Sequence, residues 1–276
     1  MSNQLQTMED LTRVKETYLE QQAKYTHQVL ICAGAGCVSA ACGKVRDAAI
    51  ATLKELGLSD TVNVIETGCI GLCAVGPVMI IQPERTFYVK LDPVNVTRIL
   101  KAHLVEHQVL EEHTFYSQSQ NCRVPCLDDI DFFKEQVKIA LRNCGAIAFA
   151  SVEAYIARDG YMAIAKALSQ GKPEAVIQTV KESGIRGRGG AGFPTGIKWE
   201  AGFKANSEEK FMVCNADEGD PGAFMDRSII EGDPHAVLEG LMLGGYAIGA
   251  KQGYVYIRAE YPLAIERLTA AIEQAH

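Results

Sequence analysis

The chain has 276 residues, 47% of them apolar and 22% charged, with a formal net charge of −7. That length and apolar content suit one large or two ordinary domains with a buried core, not a disordered chain. The acidic balance argues against sequence-independent binding to nucleic acid, which needs basic surface, although a dinucleotide can still be held by local amides and cations.

Residues 1–24 read as a polar, partly helical lead-in, and Met1–Gln22 lacks the apolar central run of a signal peptide. Gln28–Cys32 is a short apolar strand. Ser39–Leu56 has helical apolar spacing through Val45, Ala49, Ile50 and Leu53. Thr61–Ile65 predicts a second strand, ended by Gly68. Pro77–Gln82 and Phe87–Lys90 predict a hairpin around Pro83–Thr86. Asp92–Leu104 predicts a helix with Asp92 as cap and Pro93 at its first position. An N-terminal extension, 1–27, is thus expected to precede a strand–helix–strand–strand–strand–helix domain over 28–106.

Residues 107–129 have weak periodicity and read as a linker. Beyond them the pattern predicts helices at Ile130–Arg142, Ser151–Ala157, Tyr161–Leu168 and Lys172–Glu182. A strand at Lys210–Cys214, a helix at Pro234–Ile248, a strand at Gly253–Arg258 and a helix from Pro262 follow. This alternation predicts an α/β second domain over 130–276. The most apolar long stretch, His235–Ala250, is too short to span a bilayer and carries Glu239. A soluble, cytoplasmic protein with no direct membrane insertion is expected. In a reducing compartment its nine cysteines are better suited to metal or redox work than to disulfides.

Four of those cysteines form two pairs, Cys32/Cys37 with four residues between and Cys69/Cys73 with three. Each pair follows a predicted strand in a glycine-containing turn, where the chain can wrap closely round a ligand. Four thiolates satisfy a [2Fe–2S] cluster, and turn amides can donate to its sulfides. The alternatives are structural zinc, which more often uses two-residue spacing within a pair, or unligated thiols. Cys42 reads as a packed helix residue. Cys122 and Cys126 read as free thiols, Cys144 as part of a turn and Cys214 as a buried strand end.

Gly184-Ile-Arg-Gly-Arg-Gly-Gly-Ala-Gly-Phe-Pro-Thr-Gly-Ile-Lys-Trp199 contains Gly187-x-Gly189-x-x-Gly192, the spacing of a dinucleotide fingerprint. The preceding residues look helical, so an ordinary Rossmann turn is not expected. Its glycines still allow backbone amides to approach an anion or a flat ring, beside Arg186, Arg188 and Lys198. A helix beginning at Thr195 or Gly196 would turn its amino end toward phosphate. The alternative is a flexible surface loop. A second loop, Asn215–Arg227, follows a strand end, a common place for binding groups. Its carboxylates suit ribose, ribityl hydroxyls and amide hydrogens. A metal held by Asp217, Glu218 and Asp220 is the rival.

These two segments, Gly184–Trp199 and Asn215-Ala-Asp-Glu-Gly-Asp-Pro-Gly222, resemble the flavin subunit of respiratory NADH dehydrogenase and its relatives in NAD-linked hydrogenases and formate dehydrogenases. The resemblance runs from about Phe132 through Arg142-Asn-Cys-Gly145 to Glu260-Tyr-Pro262. The earlier half resembles the thioredoxin-like [2Fe–2S] domain of the same enzymes, and the fused order is most like the beta subunit of multimeric, often electron-bifurcating, hydrogenases. The resemblance implies a thioredoxin-like [2Fe–2S] domain with ligands Cys32, Cys37, Cys69 and Cys73, then an incomplete α/β domain for FMN and NAD(H). It implies FMN contacts from Gly187, Gly189 and Lys198, with Asn215, Asp217 and Glu218 at the ring edge and ribityl chain. Gly190, Phe193 and Asp220 would face NAD(H); the family often has Glu at the last of these.

Family members continue with a further flavin-binding segment, a β-grasp-like domain and a Cys-x-x-Cys-x-x-Cys cluster site, which residues 1–276 do not contain. The resemblance therefore implies a fragment or a site completed by a second polypeptide. The implied activity is electron transfer between NAD(H), FMN and iron–sulfur clusters, alongside other iron–sulfur and catalytic subunits. No side chain is expected to act as acid or base. The alternative is an iron–sulfur electron-carrier or docking subunit without a complete flavin site of its own.

Overall fold

Val29, Leu30, Ile31 and Cys32 form an uninterrupted apolar run, as a strand covered on both faces requires. In the computed structural model, which describes residues 5–149 and 151–276, they lie at the centre of a four-stranded sheet. The first four residues of the expected N-terminal extension lie outside the described residues. Helix α1 (Met8–Gln22) precedes strand β1 (His27–Cys32). Helices α2 (Ala35–Ser39) and α3 (Cys42–Glu55) carry the chain to β2 (Val62–Thr67), which pairs parallel to β1. A parallel pair needs such a crossover. Strands β3 (Met79–Gln82) and β4 (Thr86–Tyr88) form the hairpin, and β3 pairs antiparallel to β1, giving the order β2-β1-β3-β4.

Helix α4 (Pro93–Leu104) packs against α3 and starts as its residues predict. The Asp92 carboxylate accepts from the amides of Val94 at 2.7 Å and Asn95 at 2.8 Å, while Asn95 Oδ1 accepts from the Asp92 amide. The single helix expected over Ser39–Leu56 is instead two. Ala41 takes a left-handed conformation, φ 62°, between α2 and α3, so α2 turns with the Cys37 loop and α3 lies along the sheet.

The stretch read as a linker is structured. Strands β5 (Phe115–Ser117) and β6 (Cys122–Val124) pair antiparallel, and Val124, Leu127 and Ile130 join the core of the four-stranded sheet. The outer edge of β4 explains this, because an open edge leaves amides unpaired. Here the amides of Phe87 and Val89 donate to the carbonyls of Pro125 (2.8 Å) and His113 (2.9 Å). The helix expected at Ile130–Arg142 shrinks to α5 (Asp131–Lys134). Its helical apolar spacing has no partner surface: Val137 and Ile139 are 87% and 75% exposed.

Tyr18–Ser151 with Ser228–Asp233 form one compact unit; Val152–Arg227 and Pro234–His276 form a second, together with residues up to Thr17. The second contains α6 (Val152–Ala157), α7 (Met162–Gln170), α8 (Pro173–Glu182) and α9 (Thr195–Lys204). Strand β7 (Phe211–Ala216), helices α10 (Met225–Gly232) and α11 (Pro234–Ile248), strand β8 (Gln252–Ile257) and helix α12 (Pro262–Ala275) complete it in chain order. β7 and β8 are parallel, and α11 packs against both strands and against α7, α8, α9 and α12.

Glu239 on α11 is buried and accepts from Tyr155 Oη at 2.6 Å and from the amides of Tyr161, Ala163 and Ile164. A carboxylate there satisfies amides that the first turn of α7 leaves open. Beside it, His235 Nδ1 lies 2.7 Å from Tyr161 Oη, and its ring stacks on Tyr155. No helix among the described residues is long and apolar enough to cross a membrane.

Burial pushes the His235 imidazole below its ordinary value, so the folded chain keeps it neutral. The unfolded chain binds that proton below pH about 6.5, so stability is lost as the pH falls through this value. Thermal denaturation followed by circular dichroism should show a midpoint that drops between pH 7 and pH 5. The drop should shrink in His235→Gln, and an equal drop in the variant would contradict the assignment.

Candidate functional site

The parallel pairing of β1 and β2 brings the two cysteine turns together, because Cys32 is in register with Thr67, two residues before Cys69. Cys32 closes β1 and Cys37 lies in α2. Cys69 follows β2, and Cys73 opens a short 3-10 turn. The thiols neighbour one another in the order Cys37, Cys32, Cys69, Cys73, with 3.9 Å between the last two sulfurs. The hydrogen bond between Cys32 and Cys37 pushes the Cys32 thiol up to about 12 and lowers that of Cys37. The contact with Cys32, followed by burial, raises Cys69. Crowded thiols resist joint ionisation, and a bound cationic metal centre would supply the compensating charge. Among the described residues, no three His, Cys, Asp or Glu side chains converge on a single metal-ion position.

The turns fit a cluster in a second respect. A Cβ built at Gly34 would lie 2.7 Å from the Cys69 Cβ. One at Gly36 would lie 3.1 Å from Cys73 Sγ, and one at Gly76 would lie 3.1 Å from Cys37 Sγ. Backbone therefore lies directly against the thiols, as amide donation to cluster sulfur requires. Cys32 and Cys37 are buried, Cys69 is half-buried and Cys73 is exposed, so one side of the group reaches the surface.

Residues that the spacing did not reveal also stand here. Cys144 is buried, and burial pushes its thiol up to about 12. Its sulfur occupies the space where a Cβ at Gly68 or Gly232 would fall. Glu231 accepts from the Ala35 amide within the Cys32–Cys37 turn, at 3.2 Å. These contacts join segments far apart in the chain and leave no local pattern to read. Cys122 is exposed, Cys126 and Cys214 are half-buried, and Cys42 is buried on α3.

In the second unit the glycine-rich segment is a tight loop entering α9. The amides of Gly187 and Thr195 donate to the carbonyls of Phe193 (2.9 Å) and Ile185 (3.0 Å). The Arg186 guanidinium donates to the Gly192 carbonyl at 3.0 Å. Gly187, Gly189, Gly190, Phe193 and Lys198 are all exposed. Gly190 has φ 98°, and a Cβ at Gly189 or Gly190 would meet nothing, so the loop leaves open space over bare backbone. At the root of the loop, a Cβ at Gly196 would strike the Lys181 backbone at 2.7 Å, so α8 and α9 cross closely only with glycine there. A cavity of about 400 Å³ at this root is lined by Val180, Lys181, Gly184, Ile185, Pro194, Gly196, Ile197 and Glu200.

The acidic loop leaves the carboxyl end of β7. Asn215, Asp217 and Asp220 are exposed, and Asn215 Oδ1 accepts from the Asp217 amide at 3.1 Å. Glu218 is different. It is buried, and its carboxylate accepts from the amides of Asp226 (3.0 Å) and Arg227 (3.2 Å) in the first turn of α10. Its carbonyl accepts from Arg258 at 2.6 Å. Glu218 thus anchors the loop through oxygens already engaged by the protein. Both loops spring from elements packed on α11, namely α9 and β7. A larger cavity, about 1130 Å³, lies among α1, α6, α7 and α12, and none of the expected site residues lines it.

Replacing Gly34 by Ala forces the two cysteine turns apart and should remove most bound iron, measured on anaerobically prepared protein. Gly43→Ala on α3, whose Cβ would meet nothing, is the control and should keep its iron while gaining up to about 1 kcal/mol of helix stability.

Comparison with known proteins divides the chain in the same order. Residues 13–104 match the thioredoxin-like [2Fe–2S] ferredoxin family, and residues 180–276 match the Nuo51 FMN-binding domain. The NADP-reducing hydrogenase subunit HndC of Solidesulfovibrio fructosivorans is 59% identical over 142 residues, covering 51% of this chain and 29% of that one. The NAD-reducing hydrogenase HoxS subunit alpha of Cupriavidus necator is 34% identical over 199 residues, covering 72% of this chain and 31% of that one. Among solved structures, an NAD⁺-reducing [NiFe]-hydrogenase in the air-oxidized state is similar at 22% identity and a TM-score of 0.42, over 97% of this chain and 46% of that one. The chain spans about a third of the length of the curated relatives it matches. It carries a thioredoxin-like [2Fe–2S] ferredoxin domain followed by a Nuo51 FMN-binding domain.

Proposed function

We propose that the chain is part of a diaphorase, transferring electrons between NAD(H), FMN and iron–sulfur clusters within a multi-subunit hydrogenase or dehydrogenase. The observation that carries this reading is the union, in one chain, of a four-thiol group held against glycine backbone with a glycine-rich loop and an acidic loop on α11. In support, relatives over parts of the chain are named as subunits of NAD- and NADP-reducing hydrogenases and of NADH-quinone oxidoreductase.

Bound FMN would exchange an electron pair with a nicotinamide and single electrons with iron–sulfur centres. Cys32, Cys37, Cys69 and Cys73 hold the [2Fe–2S] cluster, with Cys73 toward the surface that faces an electron partner. Gly187 and Gly189 give a flat ring close access to backbone, Gly190 lies on the NAD(H) side, and Lys198 offers its ammonium to phosphate. Asn215 and Asp217 present oxygens to ribityl or ring donors. Glu218 supports them by fixing the loop to α10. Phe193 and Asp220, both exposed, form the nicotinamide nucleotide side of the site. No side chain acts as acid or base; the residues bind and orient.

Anaerobic purification of the full chain, followed by iron and zinc analysis, flavin fluorescence and EPR after reduction, tests the reading. About two irons per chain are expected, together with binding of added FMN. Lys198→Ala should weaken FMN binding about tenfold through loss of one charge-assisted contact. Zinc in place of iron would sink the cluster assignment. Iron without any affinity for FMN would leave an electron-carrier module.

A further inference from the structure

The last turn of α10 and the residue after it, Ser228–Asp233, pack in the same compact unit as the four paired cysteines. Two consecutive residues there reach the cysteine turns, and the next ties the strip to Asn143. Glu231 is 2% exposed, and its carboxylate accepts from the amide of Ala35, midway between Cys32 and Cys37. Gly232 lies against Cys144 and against Gly68, the residue before Cys69; a Cβ on it would fall 2.3 Å from Cys144 Sγ and 3.4 Å from Gly68 Cα. Asp233 accepts from the buried Asn143 side chain at 2.7 Å, which ties this strip to the residue preceding Cys144.

Two physical effects of Glu231 act in the same direction. An amide that donates to cluster sulfur stabilises the reduced, more negative cluster. The Ala35 amide points instead at a carboxylate. A carboxylate held out of water beside the turn also opposes the arrival of an electron. Its hydrogen bond meanwhile fixes the turn that carries Cys32 and Cys37.

We propose that Glu231 is a positioning residue for the [2Fe–2S] cluster, locking the Cys32–Cys37 turn and holding the cluster's reduction potential low. The proposal rests on the reading that the four cysteines carry that cluster. A low potential suits a centre that exchanges electrons with a strong reductant.

The test is an EPR-monitored titration of the full chain with dithionite, in wild type and in Glu231→Gln, which keeps the acceptor oxygen and removes the charge. At the wild-type midpoint, the ratio of reduced to oxidised cluster should rise about tenfold in the variant, with iron content unchanged. An unmoved midpoint at full iron content overturns the proposal and leaves the cluster reading standing. Wild-type protein without iron overturns both. If Glu231→Gln fails to hold iron, Glu231→Asp carries the test. It retains the charge, so a midpoint within twofold of wild type by the same ratio supports the proposal, and a tenfold rise overturns it.

Discussion

Four thiols in hydrogen-bonding succession cannot all ionise without a compensating positive charge, and this constraint organises the first unit. The succession from Cys37 through Cys32 and Cys69 to Cys73 follows from one register, that of β1 on β2. The sheet is therefore the instrument that brings the thiols together, and its buried apolar run supplies the rigidity. Glycines at positions 34, 36 and 76 allow the turns to close on the sulfurs, since side chains there would occupy the same space. The pairing of β4 with the chain beyond α4 seals the far side of the sheet.

The second unit is arranged round a helix instead of a sheet. α11 packs against both strands and against α6, α7, α8, α9 and α12, and two buried acids hold local backbone in place. Glu239 satisfies the opening amides of α7, and Glu218 does the same for α10. In each case the side chain accepts from amides at the opening turn of a helix. Glu218 keeps the loop that carries the exposed Asn215, Asp217 and Asp220 in shape.

Much of this was legible in the residues. The strands of the first unit, the Asp92 cap and the two cysteine turns follow from local pattern, because each is set by neighbours in sequence. The start of α9 at Thr195 and the span of α11 were legible for the same reason. The break at Ala41 was not, since it answers to the cysteine turn that it must clear. Residues 107–129 read as a linker because their pairing is with the edge of β4, not with each other alone. Val137 and Ile139 imitate a helix face without any surface to bury it. Glu231, Gly232 and Asp233 could not be read at all, because the segment of the chain in which they lie otherwise belongs to the second unit.

The hydrogen bond from the Ala35 amide to Glu231 spans 196 positions of chain. During synthesis at roughly 5–20 residues per second, the sheet and both cysteine turns emerge well before the strip that closes over one of them. For an interval on the order of ten seconds or more, the chain of both cysteine turns is therefore made while Glu231, whose carboxylate the Ala35 amide reaches in the finished fold, is not.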